Sequence, residues 1–298
     1  MSPTRPAWRQ TVGRIVRQLD YGAGHRWLEL DVRPPFATPR PGQFVQIVLP
    51  PIASPVLLPR PMSVASVSRS RDALRIGFLY APVGIGTLAL AGLGAGAEVE
   101  VLGPLGRGFP LEEPGAPVLI AGGRGVAPLL FAADALAAAR RDGRRGRRPV
   151  MLFGARDRAH LVGLEDAHRR LAAVRGRLHV CTDDGSLGPK GHVGTLLERV
   201  APGLRGPLVL HACGPHAMLR TVALWALARG VRAWLAMESV MACGTGVCRG
   251  CPLPRSEAAR AAFDPARTPS LHGNQDWAMC CTEGPVFEAG DLDWERIE

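Results

Sequence analysis

Apolar and polar residues alternate along the first third of the chain with the period of β-strands. Each alternating run ends at glycine, proline or another turn residue, and the clearest are Trp27–Val32, Phe44–Leu49, Leu74–Tyr80 and Glu98–Leu102. Several short strands at this spacing predict an antiparallel barrel or sandwich over residues 8–110. One short helix is expected within this part, at Thr87–Ala91.

After Pro114 the pattern changes to buried strands that alternate with helices. An apolar run, Pro117–Ala121, leads into glycines and is followed by an Ala- and Leu-rich helical segment, Val126–Arg140. The alternation then continues through Val150–Phe153, Glu165–Val174, Leu178–Cys181, Val193–Val200, Leu208–Ala212 and Ala217–Arg229. Such an order predicts a parallel sheet with helices on both faces.

The fold class is therefore a β-barrel plus an α/β domain, with a small C-terminal part. We place the antiparallel barrel at residues 1–113, the parallel-sheet α/β domain at 114–232 and the C-terminal part at 233–298. A chain of 298 residues suits two full domains, because single hydrophobic cores stop growing near this size. The C-terminal part is too short for a core of its own and is expected to depend on a metal.

A net charge of +10 suggests a nucleic-acid partner, but the arginines are scattered among alanine, glycine and proline. The densest run, Arg140–Arg148, lacks interleaved aromatic residues, so we interpret it as a solvated loop rather than a nucleic-acid site. The most apolar stretches, 117–139 and 222–237, are interrupted by arginine or proline, and no membrane span is predicted. The N-terminus has no apolar signal core, so we expect a cytoplasmic protein with reduced thiols.

A cysteine motif near the C-terminus carries the strongest chemical signal. Cys243, Cys248 and Cys251 stand at C-x4-C-x2-C, and a fourth thiol follows at Cys280 or Cys281. This is the ligand spacing of a plant-type 2Fe–2S cluster, and the intervening glycines let the loop curl with its N–H groups near sulfur. Zinc is the alternative, although structural zinc sites usually come from two short cysteine pairs. Seven cysteines, an odd number, disfavour a disulfide framework.

Two strand-to-helix turns of the α/β domain indicate a nucleotide site. The first contains Gly122, Gly123 and Gly125, and the second is Cys213-Gly-Pro215. Ligands of open α/β sheets bind beyond the carboxyl ends of the strands, where both turns lie. Each turn alone is explained equally well as a tight turn. Asp183 and Asp184 are interpreted as turn residues rather than as a catalytic acid pair.

The barrel domain carries weaker signals for binding an anion or a ring edge. Arg60 and Ser63 stand in a short Arg-Pro-Met-Ser sequence, which also fits a proline-rich loop before a strand. Tyr80 and the segment Gly84–Thr87 follow downstream, where a short helix begins.

Taken together, these motifs resemble the ferredoxin reductase superfamily and, within it, the electron-transfer subunit of NAD-linked dihydroorotate dehydrogenase. The barrel motifs resemble its FAD site, and the two glycine turns resemble its nicotinamide site. The cysteine loop and the closing sequence Cys281-Thr-Glu-Gly-Pro-Val-Phe287 match the family, as do Gly103–Phe109 and Thr182–Ser186. The resemblance covers nearly the whole chain.

The resemblance implies three cofactor sites. It implies an FAD site of Arg60, Pro61, Met62, Ser63, Leu79, Tyr80, Ala81, Gly86 and Thr87. It implies an NAD site of Gly122, Gly123, Gly125, Ala127, Pro128, Cys213, Gly214 and Pro215. Its closing sequence makes Cys281 the fourth cluster ligand beside Cys243, Cys248 and Cys251, and leaves Cys280 a spare thiol.

The resemblance also implies a function. The chain would carry electrons in dihydroorotate oxidation, a step of pyrimidine biosynthesis, between NAD and an FMN-containing catalytic subunit, in a heterotetramer with two copies of each. No catalytic acid or base is then required. The alternatives are a reductase subunit for a sulfide dehydrogenase, a hydrogenase or a ferredoxin:NADP oxidoreductase, and a zinc-stabilised binding protein without redox activity.

Two features leave parts of this interpretation open. The segment Pro252–Met279 is longer than the family usually has between its third and fourth cluster cysteines, so the sequence leaves the identity of the partner open. Arg156 and Arg158 follow the second strand of the α/β domain and suit the 2′-phosphate of NADP, whereas Asp157 between them suits NAD. The resemblance favours NAD.

Overall fold

The structure is a computed structural model that describes residues 8–50, 56–70, 72–142, 147–266, 268 and 274–297. Its first seven strands form one antiparallel sheet in the order β4-β3-β7-β1-β2-β6-β5. The elements are β1 (Arg9–Gly22), β2 (His25–Val32), β3 (Phe44–Val48), β4 (Arg60–Ser63), β5 (Ser66–Arg69), β6 (Leu74–Tyr80), α1 (Ile85–Gly92) and β7 (Glu98–Leu105). The four strands and the short helix predicted for the barrel are confirmed.

Side-chain alternation in these strands separates the barrel core from its outer face. In β3, Val45 and Ile47 are fully buried in the core that also contains Leu28 and Phe78. Phe44, on the opposite face of β3, packs instead into the core of the C-terminal part. The outer face of β3 therefore lies at the junction between the barrel and the C-terminal part.

The second sheet has six strands in the order β10-β9-β8-β11-β12-β15, and its first five strands run parallel. Helices α2 and α3 contribute to the core on one face, and α4 and α5 to the core on the other, as predicted. The elements are β8 (Ala116–Gly122), α2 (Val126–Arg141), β9 (Val150–Ala155), α3 (Leu164–Ala173), β10 (Arg177–Thr182), α4 (Val193–Val200), β11 (Leu208–Cys213), α5 (His216–Ala228) and β12 (Arg232–Ala236).

The C-terminal part is built into the second sheet. It contains β13 (Pro252–Pro254), α6 (Glu257–Ala261), β14 (Trp277–Met279) and β15 (Val286–Glu288). Strand β15 pairs antiparallel with β12, and its residue Phe287 lies in the core shared with the α/β domain. The domain boundaries remain predictions. Relative to them, the sheet continues beyond residue 232, because β12 and β15 both belong to it.

An arginine joins the barrel to the α/β domain. Arg170 of α3 donates from Nη1 to the Ala65 carbonyl of the barrel at 3.1 Å and to Asp134 Oδ2 of α2 at 2.6 Å. Of the arginine-rich run, residues 143–146 lie outside the described residues, and the Arg147 guanidinium donates to the Arg205 carbonyl. Within the described ranges, no helix has the length and apolar character needed to cross a bilayer.

Candidate functional site

A cleft of about 1080 Å³ opens at the carboxyl ends of strands β8, β9 and β11. One side is formed by the α/β domain and the other by the barrel, at Ala23–His25 and Ala81–Val83. Six residues predicted to bind FAD or NAD line this cleft, and they are Ala81, Gly122, Gly123, Gly125, Gly214 and Pro215. The structure thus brings the two predicted glycine turns into one cavity at the edge of the sheet where α/β proteins bind ligands.

The two turns are packed backbone to backbone. A Cβ on Gly125 would lie 2.1 Å from the carbonyl oxygen of Cys213, and one on Gly214 would lie 3.1 Å from the Cα of Gly122. The contact exists because β8 and β11 are parallel neighbours in the sheet. The first turn is a single 3₁₀ turn, Gly123–Gly125, that leads directly into helix α2 at Val126, so the positive N-terminal end of this helical segment lies at the cleft.

Three predicted NAD residues are buried behind the cleft rather than exposed in it, and they are Ala127, Pro128 and Cys213. Burial and then the charge of Glu238 raise the pKa of the Cys213 thiol above its usual range, so Cys213 stays a neutral thiol. Glu238 itself lines the cleft. Two histidines lie nearby: His211 is buried, and His216 Nε2 lies 2.7 Å from the Glu238 carbonyl oxygen.

Polar and charged side chains follow strands β9 and β10 at the cleft. Arg156, His160 and Asp183 line it beside the two glycine turns. The Asp157 carboxylate accepts from the His160 N–H at 3.0 Å and lies 2.7 Å from His160 Nδ1, and these contacts with His160 lower the pKa of Asp157. Asp157 is engaged within its own turn, and Arg156 joins the same cluster with its Nε 3.5 Å from Asp157 Oδ2 while also lining the cavity.

Sequence reasoning missed several lining residues. They are His25, Arg124, His160, His192 and Glu238. Arg124 stands inside the predicted glycine turn, so the motif itself contained that signal. His25 is the first residue of β2, directly after the turn from β1, and has no local motif. Only the packing of the two domains brings it to the cleft.

The barrel residues predicted for FAD meet around Arg60. The Arg60 side chain lies against Gly86, where a Cβ would be 3.0 Å from its Cδ, and its Nη2 donates to the Leu58 carbonyl at 3.0 Å. Its Nε is buried with no partner. Thr87 Oγ1 accepts from the N–H groups of Val83 and Gly84 at 3.0 and 3.1 Å, which shapes the start of α1. An arginine beside a helix start, with an unpaired buried N–H, fits an anionic group such as a phosphate.

The other predicted FAD residues divide between buried and exposed positions. Met62 points into the barrel core, while Pro61 and Ser63 on either side of it are exposed. The Tyr80 hydroxyl donates to Gln18 Oε1 at 2.5 Å, and burial raises the pKa of Tyr80 to about 12. Leu79 packs in the core that also contains residues of the α/β domain. The exposed pair leaves an open face on β4 on which a planar ring can lie.

The cysteine loop turns its N–H groups toward sulfur. Thr245 and Cys248 donate their N–H groups to Cys243 Sγ at 3.4 Å, and Gly250 donates to Cys248 Sγ at 3.4 Å. Burial raises the pKa of Cys243, but these N–H groups together outweigh it and lower the pKa to about 6. The loop thus favours thiolates, which are the ligand form of cysteine.

The described ends of the long segment between Cys251 and Cys281 form a short two-stranded ribbon beside the cysteine loop. Strands β13 and β14 pair antiparallel, and at their base the Cys280 N–H donates to the Cys251 carbonyl at 2.9 Å. The Cys281 N–H donates to Cys251 Sγ at 3.4 Å, and the Cys281 thiol hydrogen bond lowers the pKa of Cys251 to about 7. The fully buried Cys280 thiol donates the other way, to the Met237 carbonyl at 3.7 Å.

The donor set suits a two-iron cluster. Among the residues that the structure describes, no three Cys, His, Asp or Glu side chains lie close enough together to hold a metal ion as they stand. A 2Fe–2S cluster separates its thiolates by two irons and two sulfides, and hydrogen bonds to its sulfurs stabilise it. A thiol-rich loop with N–H groups aimed at sulfur meets these needs.

Comparisons with known proteins agree with this geometry. The family model for the oxidoreductase NAD-binding domain matches residues 119–223. The dihydroorotate dehydrogenase B (NAD(+)) electron transfer subunit of Desulforamulus reducens is 33% identical over 256 residues, covering 86% of this chain and 87% of the relative. The subunit of the same name from Bacillus caldolyticus is 36% identical over 258 residues, covering 85% and 86%.

Solved structures show the same architecture. The NADH-dependent reduced ferredoxin-NADP oxidoreductase, described in terms of flavin-based electron bifurcation, superposes with a TM-score of 0.75 at 26% identity, covering 96% of this chain and 91% of that chain. The Amycolatopsis cytochrome P450 reductase GcoB gives a TM-score of 0.60 at 27% identity, covering 76% and 67%.

Proposed function

Because this chain belongs to the family of dihydroorotate dehydrogenase B electron transfer subunits, we propose that it passes electrons between a catalytic dehydrogenase subunit and NAD. The relatives cover 85% or more of the chain at 33% and 36% identity. That coverage carries the conclusion, because it includes the barrel, the glycine turns and the cysteine loop in one order. The chain is an oxidoreductase subunit with sites for FAD, NAD and a 2Fe–2S cluster.

The cofactors supply the chemistry: FAD exchanges a hydride with nicotinamide and single electrons with the cluster when both are bound. The chain's residues bind and orient. We propose that the glycine turns present N–H groups to the NAD phosphates, since Gly125 allows the two turns to touch. We propose that Arg60 holds a phosphate of FAD with its unpaired Nε.

We propose Cys243, Cys248, Cys251 and Cys281 as the cluster ligands. The direction of the Cys280 thiol, toward Met237, supports Cys281 as the fourth. Cys251 and Cys281 are buried while Cys248 is exposed, so water is excluded from one side of the loop. The exposed side, which also carries Val247, is where we place the partner subunit.

The proposal also covers the identity of the partner, the stoichiometry, the location and the choice between NAD and NADP. We propose that the partner is an FMN-containing dihydroorotate-oxidising subunit and that two copies of each form a heterotetramer. We also propose a cytoplasmic location, because thiolate ligands need a compartment that keeps thiols reduced. We propose NAD rather than NADP, as in the relatives' names, although Arg156 faces the cleft and is the residue to test.

A second candidate comes from the solved structure that covers 96% of this chain, the NADH-dependent reduced ferredoxin-NADP oxidoreductase. In that candidate the partner is a different flavoprotein and the one-electron carrier is ferredoxin. The long segment Pro252–Met279 would then contact that other partner.

Purification of the tagged chain with its bound partner, without oxygen, separates the two candidates. We expect the complex to contain flavin, iron and sulfide, to reduce NAD with dihydroorotate, and to use NADH faster than NADPH with an artificial acceptor. A complex that ignores dihydroorotate but links reduced ferredoxin to NADP would support the second candidate. A colourless protein with stoichiometric zinc would reject both.

A further inference from the structure

The Gln46 side chain is buried without a hydrogen-bond partner. The residue is 0% exposed, and neither its Nε2 nor its Oε1 has a partner among the described residues. A buried amide left in this state destabilises the fold, because its hydrogen bonds to water are lost and not replaced. Such a group in a core made of apolar residues indicates that something else satisfies it.

The position of Gln46 shows where that partner lies. It is on the outer face of β3, the face whose Phe44 packs with the C-terminal part. Its Nε2 is 2.8 Å from the position that a Cβ would take on Gly244, the residue after Cys243. In the sheet it is paired with Pro61 of the predicted FAD motif. The amide therefore lies between the FAD motif and the cysteine loop.

A second unpaired polar group packs against the same loop. The Thr282 hydroxyl is buried with no partner, and its Cγ2 is 3.0 Å from the position of a Cβ on Gly246. Of the seven unpaired buried side-chain atoms found in the described part of the chain, three belong to Gln46 and Thr282. Their concentration at the cysteine loop indicates a shared acceptor there.

We propose that Gln46 Nε2 donates a hydrogen bond to a sulfur of the 2Fe–2S cluster, with the Thr282 hydroxyl as a second donor. This inference rests on the proposed function, which supplies the cluster. A reduced cluster carries one more negative charge than an oxidised one, so an N–H donor stabilises the reduced form more. Gln46, a residue of the flavin-binding barrel, thereby raises the reduction potential of a cluster held by another part of the chain.

Gln46→Leu tests this in the holo-complex, because leucine fills the space and removes both polar atoms. We expect iron and sulfide content to stay unchanged and the cluster potential, followed by EPR during a redox titration, to become more negative. The flavin potential and NADH reduction of flavin serve as internal references. Labelling the glutamine side-chain amide with nitrogen-15 adds a direct readout, since pulsed EPR of the reduced cluster should detect a coupled amide nitrogen that the variant lacks.

Gln43→Leu is the matched control. Gln43 is also buried, but it is satisfied by the Arg40 N–H at 2.9 Å and the Gly106 carbonyl at 2.7 Å. This change should lower thermal stability and leave the cluster potential as it is. If either glutamine variant folds poorly, the nitrogen-15 signal in the unmutated complex still decides.

The outcomes separate this inference from the proposed function. An unmutated protein without iron and sulfide would reject the function itself. A cluster-containing protein in which Gln46→Leu raises the melting temperature, leaves the potential unchanged and shows no coupled amide would overturn the inference alone. That result would mean that the Gln46 amide stays unpaired in the holoprotein.

Discussion

At the scale of single residues, the adjacent thiols Cys280 and Cys281 differ through backbone direction. One side chain points to the Met237 carbonyl and the other to Cys251. Both residues lie in the turn that follows β14, where the N–H groups of Thr282 and Glu283 donate to the Met279 carbonyl, and this turn sends the two thiols in different directions. The closing sequence shared with the family favoured Cys281, and the packing supports that choice.

Replacing Cys281 with serine should abolish cluster assembly, because a thiolate at the buried side of the loop is lost. Cys280→Ser should leave the cluster intact and cost only stability, since its thiol makes a weak bond to a carbonyl. Iron and sulfide analysis with the visible spectrum measures both. Equal cluster loss in the two variants would contradict the assignment of Cys281.

His211 provides a pH prediction at the same scale. Complete burial lowers the pKa of His211 to about 3, so the folded chain keeps it neutral while the unfolded chain binds a proton below about pH 6.5. The stability it contributes is therefore present above about pH 6.5 and is lost as the pH falls toward 3. Between pH 7 and pH 5, His211 should account for a fall of about 2 kcal/mol in the free energy of unfolding of the unmutated protein. The His211→Leu variant should not show this part of the fall.

Denaturant unfolding at several pH values measures this difference, with the unmutated protein alongside to account for acid loss of the cluster. If the free energy of unfolding fell equally with pH in the two proteins, the folded chain would accept the His211 proton as readily as the unfolded chain, and the prediction would be wrong.

At the scale of elements, the NAD-site prediction rests on two turns that belong to different strands. Each turn is ordinary by itself, and their contact depends on β8 and β11 being neighbours. The strands β8, β9 and β11 were predicted from short apolar runs that end in glycine or proline. Seven strands of the described chain were not predicted individually: β1, β4, β5, β12, β13, β14 and β15. Six of them are short, with three to five residues, whereas β1 is long but has only two buried residues to mark it.

Gly125→Ala tests the contact between the turns. An added methyl group would collide with the Cys213 carbonyl, so we expect a loss of about 1–3 kcal/mol in stability and a higher KM for NADH. Gly123→Asn is the control, because Gly123 has open space around it and a φ of +50°, which asparagine tolerates. Unfolding curves and NADH kinetics compare them; equal effects would show that the loop's flexibility matters rather than the contact.

At the scale of the whole molecule, the cofactor sites arise where separate parts of the chain meet. The cleft lies between the α/β domain and the barrel, and the cysteine loop packs on β3 of the barrel through Gly244 and Gln46. The mutual position of these parts is fixed partly by Arg170, whose side chain is 11% exposed. Electron transfer between sites in different parts depends on such fixed distances.

Arg170→Leu should lower the free energy of unfolding by about 1.5–3 kcal/mol, because it leaves the Ala65 carbonyl and Asp134 without their charged donor. Arg169→Leu, one position earlier, is the comparison. The Arg169 side chain is 73% exposed but pairs with the Asp166 carboxylate, whose side chain is 12% exposed, so we expect a loss smaller than that from Arg170→Leu. Denaturant unfolding compares the pair. A larger loss from Arg169→Leu would contradict the role given to Arg170.

The sequence by itself determined the two architectures and the chemistry of the three sites. The period of the apolar residues distinguishes strands from helices, because it reflects which face of each element is buried. The cysteine spacing and each glycine turn are local features, because each lies within one short segment. Only the tertiary structure decided which residues share a site. The contact of Gly125 with Cys213, the approach of His25 to the cleft and the burial of Gln46 against Gly244 join segments far apart in sequence, and no local pattern contains that pairing.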